Sequence, residues 1–154
     1  MPGRLGRNLR SGHRAEGLGI ELLRAFCAVA PVPQAEDVGF DAIGTILRSD
    51  RRFLIADASF CVQFKANSVR EIVYDKAGYD WLRKLSLPLF IGSVDVSLQE
   101  VALYATHHVT CHVDSDQYNS VVMYLDERPG SSEDGVLHQS LGAPLLHWTH
   151  QDGE

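Results

Sequence analysis

From Ser11 to Ala30 the chain carries apolar residues at helical spacing on two sides at once, and that doubling constrains the fold more than any other feature. Leu18, Leu22, Ala25 and Val29 form one stripe, and Ile20, Leu23 and Cys27 form a second on the far side. A helix that is apolar over most of its girth needs cover on more than one side, from a sheet or from further helices. Ser11 offers an N-cap, and Pro31 and Pro33 close the segment. Glu16 continues the second stripe, whereas Arg14, Glu21 and Arg24 share a narrow polar strip. One carboxylate is therefore expected to face inward, where it is costly unless paired with a cation or a metal.

Beyond the proline-rich connection, Phe40–Leu47 reads as a strand, Ser49-Asp50-Arg51-Arg52 as a turn, and Phe53–Ala56 with Ser59–Ala66 as two strands or one bent one. Lys76–Leu85 reads as a second helix led in by Asp75, with Tyr79 and Leu82 or Trp81 and Leu85 turned inward. Leu89–Val96 has the continuous apolar character of a buried strand. Val101–Thr106 and Tyr118–Leu125 follow as strands, the latter closed by Pro129-Gly130. Through Thr106 the expected order is α-β-β-β-α-β-β, with Phe40–Leu47 beside Ser59–Ala66 in a mixed sheet and the first helix packed across it. In the tail, Val136–Leu141 reads as a short helix, Trp148 as docked on the core, and the last four residues as disordered.

A chain of 154 residues that is 45% hydrophobic is expected to form one domain with a substantial core. Its three cysteines, Cys27, Cys61 and Cys111, are odd in number and set in apolar stretches, which argues for a reducing cytoplasm rather than a disulfide framework. No apolar run is long enough for a membrane span, and Glu21 and Arg24 interrupt the only candidate signal-peptide core. Net charge is −6, which disfavours a broad nucleic-acid surface, but its distribution is uneven. Residues 1–52 carry eight Lys and Arg against six Asp and Glu, while the remainder carries six against fourteen. Arg7, Arg10 and Arg14 are spaced to form one basic stripe that could meet phosphates.

The chemistry gathers around Asp41 in a Gly-Phe-Asp step and Gln63-Phe64-Lys65 at the end of an apolar strand pattern. Side chains alternate faces along a strand, so Gln63 and Lys65 point one way while Val62 and Phe64 point the other. Phosphodiester cleavage needs an acidic Mg²⁺ ligand, a second oxygen from a neighbouring strand, and an ammonium to meet developing charge. Asp41, Gln63 and Lys65 have those properties.

Together with Glu16, these residues resemble the PD-(D/E)xK nuclease superfamily in its Mrr-like Asp…Gln-x-Lys form. The resemblance covers about residues 10–106, with residues 107–154 as an extension. The Pro-Leu-Phe-Ile-Gly-Ser-Val-Asp strand and the Leu-Gly-Ala-Pro-Leu-Leu tail are similar to a prokaryotic branch classed as a domain of unknown function. The resemblance implies an α/β (α+β) fold with a restriction-endonuclease-like αβββαβ core, a mixed central sheet flanked by helices. It implies Mg²⁺ or Mn²⁺ held by Asp41, the Phe64 carbonyl, Gln63 and Glu16, with Lys65 activating water. The implied activity is DNA cleavage in restriction or phage defence, with a homodimer or protein partner supplying target recognition. Gln63 stands where an acid is commoner, which removes a negative charge from the metal shell. The alternative is a catalytically silent nuclease fold serving as an interaction module. His107-His108-Val109-Thr110-Cys111-His112 has zinc-ligand residue types without a second matching pair, and reads as a solvated strand end. Cys61 reads as a small core residue.

Overall fold

The computed structural model describes residues 7–33, 39–111 and 117–150, without the side chains of residues 7–9, 110 and 111. The chain opens with α1 (Arg7–Leu23) and β1 (Cys27–Pro31). The helix thus begins before Ser11, which lies inside it, and stops well short of Ala30. Cys27–Pro31 leaves the helical path to pair antiparallel with β2 (Ala42–Asp50), from Cys27 opposite Ile46 to Pro31 opposite Ala42. A short apolar run fits either a buried helix or a strand, and β1 is an edge strand, where proline's missing N–H is tolerated.

The remaining elements are β3 (Phe53–Ala66), β4 (Glu71–Tyr74), α2 (Lys76–Lys84), β5 (Leu89–Asp95), β6 (Glu100–Ala105), α3 (His107–Cys111), β7 (Ser120–Tyr124), β8 (Ser131–Glu133), β9 (Val136–Ser140) and β10 (Leu146–Thr149). β3 is continuous, with a bulge opposite Thr45 and Leu47. Asp75 caps α2 by accepting the Gly78 N–H at 2.8 Å, and Tyr79 and Leu82 are buried as the spacing implies.

Two expectations in the second half fail. The expected helix at Val136–Leu141 is β9, because Asp134-Gly135 is a two-residue hairpin loop between β8 and β9 with φ of 50° and 77°. Two left-handed residues in that loop match the twist of paired strands, which an Asp-Gly step favours. His107–Cys111 is a helical turn rather than a strand end, begun where the Thr106 carbonyl accepts the Val109 N–H at 3.0 Å.

The fold is α+β with mixed sheets. A six-stranded sheet runs β1-β2-β3-β5-β6-β10, and a four-stranded sheet runs β4-β7-β9-β8. In the large sheet β3 and β5 are parallel, as the intervening α2 allows, and the other pairings are antiparallel. One core joins Ala15, Ile20, Leu22 and Leu23 of α1 to Ala42, Phe60, Val62, Phe64 and Leu103. The other joins Cys61, Ile91 and Tyr104, from the opposite face of the same sheet, to Tyr79 and Leu82 of α2 and to Val121, Met123 and Leu137 of the small sheet. The large sheet therefore lies between α1 on one face and α2 with the small sheet on the other. Among the described residues no helix is long and apolar enough to cross a membrane.

Candidate active site

Strand register places the polar residues. Ala42 stands opposite Val62 and Ile43 opposite Cys61, so Asp41, one residue before β2, comes beside Gln63. Val62 and Phe64 face α1, hence Asp41, Cys61, Gln63 and Lys65 share the face toward α2 and the small sheet. Lys65 lies across from Ser93 on β5. Asp41, Gln63 and Lys65 are half-buried and Cys61 is buried.

Asp41 is fixed by main chain on both sides. Its N–H donates to the Val62 carbonyl and its carbonyl accepts the Val32 N–H, each at 2.8 Å. One carboxylate oxygen accepts the Phe64 N–H at 2.6 Å, a short charge-assisted bond that ties the aspartate to the middle of Gln63-Phe64-Lys65. Phe64 thus meets Asp41 through its N–H rather than through its carbonyl.

Tyr74, at the end of β4, was not anticipated from the sequence. Its hydroxyl donates to the Gln63 side-chain oxygen at 2.9 Å. Burial, and secondarily the negative charge of Asp41, push the Tyr74 phenol up to about 12, so it remains a protonated donor near neutrality. The only sequence signal was a tyrosine closing a short alternating run before the Asp75 cap. Nothing local says that β4 joins the small sheet and brings Tyr74 to Gln63.

Glu16 departs from its expected role. It is half-buried at the margin of the apolar stripe, on a helix covering the sheet face opposite to Gln63 and Lys65. No hydrogen bond or ion pair joins it to Asp41 or Lys65. The wheel that turned it inward spanned two stripes, whereas the buried positions are Ala15, Gly19, Ile20, Leu22 and Leu23. Lys65 likewise makes no ion pair with Asp41 or Glu16.

Exposed Arg10 and Arg14 line an open depression with Ser11 and Val96, just past the end of β5. That is the same end of the sheet as Lys65, because β3 and β5 run parallel, but it is reached from the α1 face. Arg7 belongs to α1, and its side chain lies outside the described residues, as do the Cys111 side chain, His112 and the last four residues. His108 is engaged with the Ser140 carbonyl at 3.1 Å. Among the described residues no three His, Cys, Asp or Glu side chains come together as a metal cage. One carboxylate with an amide oxygen still fits Mg²⁺, which keeps much of its water and takes phosphate oxygens as ligands. Comparison with protein-family models, with curated proteins and with solved structures finds no match.

Proposed function

We propose that the chain is a Mg²⁺-dependent endonuclease of the PD-(D/E)xK kind that cleaves DNA. The observation that carries this reading is that Asp41, just ahead of β2, and Gln63 and Lys65 on the neighbouring β3 share one sheet face, in the Asp…Gln-x-Lys order of the Mrr-like form. The succession α1-β1-β2-β3-α2-β5, with β4 inserted, supports it by following the αβββαβ order. Asp41 and the Gln63 amide oxygen would hold the ion, with the Phe64 carbonyl as a further oxygen. When bound, Mg²⁺ supplies Lewis acidity toward the phosphodiester and a more acidic water. The Lys65 ammonium faces the phosphate and offsets its developing negative charge. Tyr74 keeps the Gln63 amide in one orientation. Glu16 stays outside this set. A homodimer or a protein partner supplies target choice, and restriction or phage defence is the setting that the resemblance implies.

The second reading, a silent nuclease-like interaction module, is favoured by the Gln63 oxygen already accepting a hydrogen bond and by the absence, among the described residues, of three clustered His, Cys, Asp or Glu side chains. Calorimetric titration with Mn²⁺ and plasmid nicking separate the two. Asp41→Ala should lose both metal binding and cleavage. Lys65→Ala should keep metal binding while cleavage falls roughly 100-fold or more. Gln63→Glu should bind Mn²⁺ more tightly. A wild-type chain that neither binds Mn²⁺ nor cuts DNA or RNA would leave the silent module standing.

A further inference from the structure

We infer that the free end of the β2–β3 hairpin is a nucleic-acid arm, which enters the major groove of duplex DNA with Arg48, Arg51 and Arg52 against phosphates and Phe53 against base edges. Its occupant is of the substrate class proposed above, and the inference rests on that reading for the duplex continuing toward Asp41.

The arm is what remains when the neighbouring strands end. β1 accompanies β2 only as far as Ile46, and β5 accompanies β3 only from Cys61 onward. Between them the chain is a two-stranded ribbon, exposed throughout residues 48–58. Phe53 is 73% and Leu54 68% exposed, at the start of β3 just past a two-residue turn. Apolar residues on an uncovered ribbon are an aggregation hazard, so their presence at its tip marks a contact surface.

Charge chooses the partner. Residues 48–58 hold three arginines against two aspartates, a net of +1, on a chain whose other residues total −7. None of the three guanidinium groups makes a hydrogen bond or ion pair with a described residue. Arg51 has φ of 55°, a left-handed turn position where glycine or asparagine is unstrained. A bulky cation held there serves something outside the arm. Pairing the arms of two copies would bring both sets of arginines together, whereas a polyanion neutralises them. A two-stranded ribbon also matches the width of the major groove. Ten strand residues separate Phe53 from Gln63, roughly 33 Å at ~3.3 Å per residue. That is about one turn of duplex, so arm and site can engage the same DNA.

The test uses the full chain in EDTA, with a fluorescent mixed-sequence duplex of about three helical turns followed by anisotropy over a salt series. Arg48→Ala/Arg51→Ala/Arg52→Ala should weaken binding at least ~10-fold and reduce the slope of log K against log salt by about 2 to 3. Phe53→Ala/Leu54→Ala should weaken binding without changing that slope. The inference is overturned if wild type does not bind the duplex, or if the triple variant binds with unchanged affinity and slope. It is equally overturned if light scattering finds a wild-type dimer that Phe53→Ala/Leu54→Ala makes monomeric while duplex binding is unaffected. Without metal, the assay reads binding apart from cleavage, and the arm variants separate the arm's share of it. Binding through the arm by a chain that neither takes Mn²⁺ nor cuts keeps the arm and sinks the nuclease reading, and cleavage indifferent to the arm variants does the reverse.

Discussion

Tyr74 and Gln63 illustrate how one hydrogen bond sets the state of a site. A half-buried amide oxygen that accepts a phenolic O–H is worth about 1 kcal/mol in stability, and more of its value lies in fixing which end of the amide faces Tyr74. A double-mutant cycle on Tyr74→Phe and Gln63→Ala should therefore give a coupling energy of about 1 kcal/mol by urea denaturation, and additive effects would deny the bond. The side-chain period of two made Gln63 and Lys65 readable as one face, but Tyr74 was not readable, because its approach depends on where β4 pairs. Cys27 carries a different prediction. Burial raises its thiol from 9.0 to about 11, so the unfolded chain ionises first. The contribution is fully present below about pH 9 and is lost as pH rises through about 11, a loss on the order of 1 to 2 kcal/mol. Urea midpoints measured from pH 8 to 11 should fall less steeply for Cys27→Ala than for wild type.

At the level of elements, the strand bearing Gln63 and Lys65 is seated by its inward residue. The Phe64 ring lies between Gly19 of α1 and Gly92 of β5, where an added Cβ would stand 2.4 Å and 2.6 Å from ring atoms. Gly19→Ala should thus destabilise the protein by about 1 to 3 kcal/mol through overpacking, despite alanine's better helix propensity. Gly17 has nothing within 4 Å of an added Cβ and is exposed. Gly17→Ala should stabilise by roughly 0.5 to 1 kcal/mol, and opposite shifts in the two urea midpoints are the expected result. The sequence revealed that Phe64 and Gln63 face opposite ways, while the close approach of α1 is a tertiary fact. The same limit explains the overrun of the first helix into β1. Apolar residues in Cys27–Pro31 satisfy a helical wheel as well as a strand, and only pairing with β2 decides between them.

At the scale of the whole molecule, the two cores lie back to back on one sheet and the C-terminal third is structural to both. Val109, Val121, Met123, Leu125, Leu137 and Leu141 fill the core that also holds Tyr79 and Leu82. β10 closes the far edge of the large sheet on β6, and the Trp148 ring meets Phe26 at 5.3 Å. The docking of Trp148 was legible in the sequence. The extent of the tail's share was not, because its strands are short and β4 finds its partner β7 across the intervening α2, β5, β6 and α3. Removing residues 107–154 would expose Tyr79, Leu82 and Ile91, each now buried, together with the β6 edge. Full burial of a large apolar side chain contributes about 1.5 to 3 kcal/mol, so exposing these three alone costs an amount comparable to the ~5 to 15 kcal/mol that holds an ordinary domain folded. A chain of residues 1–106 should therefore retain every residue of the candidate site in sequence yet show no cooperative urea transition and little near-ultraviolet dichroism. A sharp two-state transition in that fragment would mean that the α1 core and the large sheet fold without the small one.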